Sequence, residues 1–548
     1  MMNTKHIAVA AAPLLIILLL RVTGSIAAAL VVAGEEPSQQ SDIGRSLVRT
    51  TAQVCQPHHI HLSVGRIQNT THSSMTLSFS ISSACVGENG PGKNSVGAVR
   101  LSGEGDDDFL VIGDVNDAKS YSAMSPRKSI KRYYSDLYYH IEIDDLRPGQ
   151  VYSYECLLLA KDEMDMMSSQ QYLRQDRSSQ EMDDATVIAR SDTSVFTTPP
   201  APGQWYDNGR TIKFAVLGDL AAQQHSRETI RHLDHHSESV DAILFAGDLA
   251  YPSKDHENWD KWMDMMSERD FFSAIPTQIA LGNHDLDTYK GGWNYTNDES
   301  IEIALAYEHR FQMPQIRPPI RELASWRGFT IDGQPIDFIP YEYGNAYYSF
   351  TFGPSKHIVL SSFSSFREGS LQYDWLLSEL KSVDRSVTPW LIVMIHCPLY
   401  TTFKTHRREI FVTEARAILE PLFVEYTVNF VIAGHIHAYM RTHPMAFSRR
   451  NPRGPIHIIQ GNGGKAVGQR YYNETAEEWV GVRDQSQYGY GTLELFNNTH
   501  AKWRWIKTGY DEGGEFEPDL NVHDEIVVRN QLYVEEMSVN NEDWRDDV

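Results

Sequence analysis

The chain has 548 residues, 41% hydrophobic and 11% aromatic, with 49 Lys and Arg against 72 Asp and Glu for a formal net charge of −23. At roughly 100–200 residues per domain this length requires more than one folded unit, and the composition excludes a mostly disordered chain and a multi-span membrane protein. So acidic a chain has no overall field with which to hold nucleic acid, and any phosphate chemistry needs a local positive charge such as a metal ion.

The N-terminus reads as a targeting segment. Lys5 and His6 precede an apolar run over 7–20, too short to span a bilayer and the right size for a signal-peptide core. Ala27-x-Ala29 offers a cleavage site, so 1–34 reads as a cleaved signal peptide rather than an uncleaved anchor. The expectation is a secreted protein, extracellular or vacuolar-lysosomal, with no stable membrane association after cleavage. On that route Asn69, Asn294, Asn473 and Asn497 head glycosylation triplets. Among Cys55, Cys85 and Cys156 one disulfide is expected, with its partners open; Cys397 stands alone, and no C-x-x-C pair suggests a zinc ribbon.

Residues 35–54 are polar and read as a linker. Alternating runs at 59–64, 75–80, 137–143 and 151–158, with turn chemistry at Leu146-Arg-Pro148-Gly149, predict an antiparallel β-sandwich over 55–203. His58, His59 and His61 could bind a metal on a strand face, but a turn and an exposed strand edge is the favoured reading. The stretch 160–193 is rich in Asp, Met, Ser and Gln and reads as a disordered insertion.

From 204 the pattern changes. Apolar strands at 212–218, 242–246, 275–281, 357–361, 390–395 and 428–433 alternate with helical segments at 226–236, 259–266, 370–382 and 414–426, and a hairpin at 488–495 and 501–506 closes the series. This predicts an α/β domain over 204–510. His232, His235 and His236 are expected on a solvated helix face, and 511–548 as an acidic surface tail.

The chemistry follows the strands. Gly218-Asp219, Gly247-Asp248 with Tyr251, Gly282-Asn283-His284-Asp285, His396 and Gly434-His435-Ile-His437 each stand where a strand ends. In open α/β sheets functional residues gather there. Glycine before the polar residue lets the backbone turn sharply. Carboxylate, amide oxygen and imidazole suit Zn, Mn or Fe, and the number of donors is enough for two ions if one carboxylate bridges.

The order Gly-Asp, Gly-Asp-x-x-Tyr, Gly-Asn-His, His, Gly-His-x-His resembles the calcineurin-like metallophosphoesterase superfamily and, within it, the purple acid phosphatases. Many relatives carry His where this chain has Ala221, and Tyr251 matches the phenolate ligand of the purple family. Further likeness lies in Tyr307-Glu-His-Arg-Phe311-x-Met313-Pro314, Tyr347-Tyr348-Ser349-Phe350 and Thr499-His-Ala-x-Trp503-x-Trp505. In the first domain it lies in Tyr139-His140, Leu146-x-Pro148-Gly149 and Tyr152-x-Tyr154. The resemblance implies a fibronectin/Ig-like all-β sandwich followed by an α/β metallophosphoesterase domain, a β-sandwich core flanked by helices. It implies Fe(III) on Asp219, Asp248, Tyr251 and His437, and a divalent Fe, Zn or Mn on Asp248, Asn283, His396 and His435, with Asp248 bridging.

The implied activity is that of an acid phosphatase acting on small phosphate monoesters, with a metal-bound hydroxide attacking in line. His284 and His406 are the catalytic candidates, and with Asn283 the substrate-binding ones. The alternatives are a phosphodiesterase or nucleotide pyrophosphatase on the same core, and a metal- or phosphate-binding protein with weak turnover. A homodimer is compatible with the sequence. The chain departs from the family pattern at Ala221, at Asp285 where Glu is usual, at Thr405 where a second His is usual, and at Met440 where Glu is usual.

Overall fold

A computed structural model of the protein describes residues 54–103, 109–113, 118–124, 132–160, 171–174, 187–252, 255–286, 304–314, 341–509 and 520–534. The expected signal peptide, nearly all of the linker, and Asn294 lie outside the described residues. Among the described residues no helix is long and apolar enough to cross a membrane.

The first domain is the expected sandwich. One sheet orders His58–Gln68, Ser73–Ile81 and Leu137–Leu146; the other is built around Ser95–Gly103 and Val151–Ala160. Along Ser73–Ile81 the alternation has a reason on both faces. Met75, Leu77, Phe79 and Ile81 fill the sandwich core. The serines and threonine between them are buried too, because this face turns toward the second domain: Ser78 Oγ meets His140 Nδ1 at 2.8 Å, and His140 Nε2 meets the His309 carbonyl at 3.1 Å. The disulfide is Cys55–Cys85, and Cys156 and Cys397 are buried thiols.

The second domain stacks two mixed sheets. One orders Thr277–Ile279, Ala242–Phe245, Ile212–Leu217, Tyr488–Leu495, His500–Thr508 and Asn521–Arg529, the first three parallel. The other has a parallel block of Ser355–Leu360, Trp390–Ile395, Phe430–Ala433 and Ile456–Gln460. Ring contacts of Phe214 with Phe352 and His357, and the Trp503 Nε1 bond to Tyr439 OH at 2.7 Å, join the sheets through one core. Helices Gln224–His235, Glu257–Ser267, Leu371–Ser382 and Arg416–Glu425 flank them.

Three sequence expectations differ from the structure. Within 160–193, Gln171–Arg174 pairs with Phe109–Ile112 and Val187–Arg190 pairs with Val151–Ala160, so the insertion extends the sheet. The acidic tail is structured at Asn521–Arg529, which pairs with His500–Thr508. Asp524 there is buried against Arg441, accepting from Nε at 2.6 Å and from Nη2 at 2.9 Å, so its charge belongs to a buried ion pair. His59, His61 and His232 are buried rather than solvated. His61 stacks on Phe272 of the second domain, and His232 Nδ1 meets Tyr490 OH at 3.2 Å.

The domain contact centres on Arg310, fully buried at the end of helix Leu305–Arg310. It donates to the hydroxyls of Tyr121 and Tyr133 from the sandwich and to Asp260 at 2.8 Å, with Tyr138 and Trp259 rings beside the guanidinium. A buried cation is tolerated only when it is paired and bonded in this way.

Burial also keeps several histidines neutral. It pulls His61 down to about 4, and His256, His357 and His457 down to about 3, with nearby cationic groups adding to the last three. Their folded values lie below the ordinary 6.5, so the unfolded chain binds more protons and stability falls as pH drops from about 6.5 toward 4. His357, between Phe350 and Phe214, supplies a test. In urea unfolding between pH 6 and 4, His357→Gln should lessen the slope of unfolding free energy by about 1.4 kcal/mol per pH unit, one proton's worth. An unchanged slope would show that His357 is not held neutral.

Candidate metal centre

Five strand ends from the two parallel blocks meet at one edge. Asp219 follows Ile212–Leu217, Asp248 and Tyr251 follow Ala242–Phe245, and Asn283 follows Thr277–Ile279. His396 ends Trp390–Ile395, and His435 and His437 follow Phe430–Ala433. Loop-to-loop backbone bonds lock these ends together: Asp219 N to Gly247 O at 3.0 Å, Gly434 N to His396 O at 3.0 Å, and Lys465 N to Asp219 O at 2.9 Å.

The glycines act differently from the sequence expectation. Of those preceding the polar residues, Gly247 alone has a left-handed backbone, with φ +89°. Gly282 is needed for space, since a Cβ there would sit 2.1 Å from Asp248 N. The sharp turns fall on the functional residues themselves. Asp219, Ala221, Asp248, Tyr251, His406 and His435 are six of the eleven described non-glycine residues with positive φ. Such strain is stored where the surrounding structure over-determines it.

The donor atoms converge. Asn283 Oδ1 lies 3.1 Å from His396 Nε2 and 2.8 Å from His435 Nδ1. Tyr251 OH lies 2.8 Å from Asp219 Oδ1 and 3.0 Å from His437 Nε2. His396 Nε2 is 3.5 Å from Asp248 Oδ1, and His437 Nε2 is 3.4 Å from Asp219 Oδ1. The far nitrogens are fixed, His396 Nδ1 by the Ala246 carbonyl at 2.7 Å and His437 Nδ1 by the Ala466 carbonyl at 3.0 Å. A backbone carbonyl on Nδ1 leaves Nε2 as the lone pair, the usual support of a metal-binding imidazole.

The electrostatics fit cations. Asp219 and Asp248 are buried with carboxylate oxygens within 4.8 Å of each other. Two charges at that distance repel by about 3–4 kcal/mol at an effective dielectric near 20. Among the described residues their ion-pair partners are imidazoles. Burial, then the Asp219 charge, pushes Asp248 well above the carboxylate range. Burial also raises Asp219, but the bond and charge from His437 outweigh it and leave Asp219 lowered. Burial and both carboxylates drive the Tyr251 phenol far up, so only a cation of high charge makes it a phenolate there. All seven expected metal ligands are therefore gathered, in two groups that share Asp248.

The two catalytic candidates sit differently. The His284 ring lies on Tyr251, centroids 4.5 Å apart, and its backbone N donates to Asp248 Oδ1 at 2.7 Å. The His406 ring lies 4.0 Å from that of His435, and its Nδ1 meets Glu409 Oε1 at 2.5 Å. Glu409 Oε2 also takes His435 Nε2 at 2.9 Å. Burial raises the Glu409 carboxyl, but bonds from His406 and His435 more than reverse this and leave it far below the usual range. Sequence reading missed Glu409, whose only signal is His-x-x-Glu spacing. It also missed Lys465, whose Nζ lies 4.4 Å from the Tyr251 ring centre. The signal there was Gly461-Asn-Gly-Gly after an apolar run.

The family departures have local explanations. Thr405 donates to Gln469, and Met440 is buried with its sulfur 3.6 Å from Thr402 Oγ1. Asp285 clamps the site from below, accepting from Asp248 N at 2.9 Å, Leu249 N at 2.9 Å and Gly282 N at 3.0 Å.

The fold is that of the calcineurin-like phosphoesterases, and the model of that family matches 212–439. A second model, described as iron/zinc purple acid phosphatase-like protein C, matches 454–524. The chain is similar to purple acid phosphatases. It is 32% identical over 302 residues to purple acid phosphatase 18 of Arabidopsis thaliana, covering 55% of this chain and 61% of that one. It is 31% identical over 341 residues to purple acid phosphatase 1 of Ipomoea batatas, covering 59% and 64%. The chain thus spans a little under two thirds of the length of these relatives. The solved purple acid phosphatase from yellow lupin seeds superposes with a TM-score of 0.63 at 18% identity, covering 88% of this chain and 76% of that one, which is a likeness of fold. The family has a dinuclear metal centre.

Asp285→Ala leaves three buried N–H groups without an acceptor, so it should cost on the order of 2–4 kcal/mol in denaturant unfolding. Metal content per chain should fall with it, and Asp285→Asn, which keeps one acceptor oxygen, should lie between. Wild-type stability and metal content in Asp285→Ala would remove the clamp from this account.

Proposed function

We propose that the protein is a dimetal acid phosphatase that hydrolyses small phosphate monoesters. The observation that carries this reading is the pair of buried, mutually repelling carboxylates, Asp219 and Asp248, ringed by Tyr251, Asn283, His396, His435 and His437. Asp219, Asp248, Tyr251 and His437 would hold Fe(III); Asp248, Asn283, His396 and His435 would hold a divalent Fe, Zn or Mn. Bound there, the pair supplies Lewis-acid activation of water and charge neutralisation of the phosphate.

The chain's own groups do the rest. Hard oxygen donors, two carboxylates and a phenolate, favour a trivalent ion on the Tyr251 side, and imidazoles favour a borderline divalent ion on the other. His284, held against Tyr251, and His406, held by Glu409, face the same edge and serve as proton donors and hydrogen-bond partners to the ester. Glu409 fixes the ring orientation of both His406 and His435, so the leaving-group donor and one ligand are oriented by one carboxylate. Secretion and glycosylation complete the proposal. Asn69, Asn473 and Asn497 are exposed, as glycan attachment requires.

The test is a visible absorption spectrum of the purified protein with metal content on the same sample. A broad charge-transfer band with two metals per chain, iron among them, is expected, and Tyr251→Phe should lose the band while the protein stays folded. A colourless, fully metallated protein lacking iron overturns the assignment. On a chromogenic monoester at pH 5, His406→Ala should lower kcat by about 10²-fold, and the matching diester should turn over more slowly than the monoester. Faster diester turnover would overturn the monoesterase reading.

A further inference from the structure

A second set of metal-type donors lies far from the strand-end edge, where the first strand of the sandwich meets helix Glu257–Ser267. His58 and His59 are consecutive in the strand His58–Gln68, so regular pleating would send their rings to opposite faces. The pairing with Ser73–Ile81 instead slips between His58 and His61, and His59 has φ +52°. The irregularity brings both rings together, centroids 4.5 Å apart. Irregularities of this kind recur where a strand must re-aim a side chain.

The nitrogens are sorted by their partners. His58 Nδ1 lies 3.2 Å from the Gln56 carbonyl, which can only accept, so the proton of the neutral ring sits there. His58 Nε2 is then a lone pair, yet it faces Asp136 Oδ2 at 2.9 Å. Two acceptors at that distance require a second proton or a cation between them. His59 Nδ1 meets the Ser80 hydroxyl at 3.1 Å, and His59 Nε2 faces Asp264 Oδ1 at 2.8 Å. Ligand atoms of His58, His59 and Asp136 all lie within 4.8 Å of one another.

We propose that His58, His59 and Asp136 form a site for a divalent transition ion, best matched by zinc, at the start of the first sandwich strand. Two imidazoles and one carboxylate, with water in the fourth position, are a zinc set. Both imidazoles have a fixed outer nitrogen, which is half of what such a site needs. The cluster is open on one side, with His58 36% exposed and His59 5% exposed, so an ion can enter while the buried histidine stays rigid.

The test uses the full-length protein with its dimetal centre intact. It is equilibrated with micromolar zinc at pH 7.5, desalted, and assayed for zinc and iron per chain. Wild type should carry about one zinc per chain more than His58→Asn or Asp136→Asn, while all three keep the same visible band and the same iron. Added zinc should raise the Tm of wild type at pH 7.5 and should leave the two variants unmoved. Equal zinc content and equal zinc response in wild type and variants would overturn the site and leave two ordinary imidazole–carboxylate ion pairs. Loss of the visible band would instead report on the dimetal centre, so the two assignments fail separately.

Discussion

The structure depends on holding Asp219 and Asp248 together out of water. Two carboxylates so placed repel one another, and no arginine or lysine among the described residues pairs with either. Cations bound at this edge would turn a repulsive pair into a scaffold for the amide, phenol and imidazole donors gathered there. Around it the protein has arranged groups that would be costly anywhere else: left-handed backbone at the functional residues, and a buried Asp285 whose oxygens satisfy three backbone donors.

Two parallel strand blocks make that edge possible. Each delivers loops at its C-terminal end, and stacking the sheets brings residues from five loops within a few ångströms. The bonds between loops then fix backbone that would otherwise relax. His396 and His437 are aimed by backbone carbonyls, and His435 by Glu409. Thus the metal set, the catalytic candidates and their supports form one layer, and a change in the support acts through the position of a ligand.

The sandwich is more than an appendage. Its inner sheet buries polar and aromatic groups against the second domain, with Arg310 paired to tyrosines from one side and Asp260 from the other. Hydrophobic burial alone would let such a contact slide. Directional bonds to a buried guanidinium set a single register. The His58–His59 irregularity lies on the same contact, where His59 Nε2 meets Asp264 of the facing helix.

Much of this was legible in the sequence. Asp219, Asp248, Asn283 and His435 were legible as Gly-polar steps after apolar runs, and the ligand role of Tyr251 came from the resemblance to the purple family. The alternation of the sandwich and most catalytic strands were equally plain. The strand 521–529 was not, because its residues are polar by composition and become a strand only when His500–Thr508 offers a partner edge. Glu409 and Lys465 were missed because their importance lies in what they touch. The sequence by itself determined the kinds of donor, their order and the two-domain division, since these are properties of residue type and local pattern. Tertiary structure alone decided that the disulfide joins Cys55 to Cys85, that Glu409 links His406 with His435, and that adjacent histidines on one strand face carboxylates from two domains. Each of those is a contact between distant segments, and proximity across a fold is set by packing rather than by spacing along the chain.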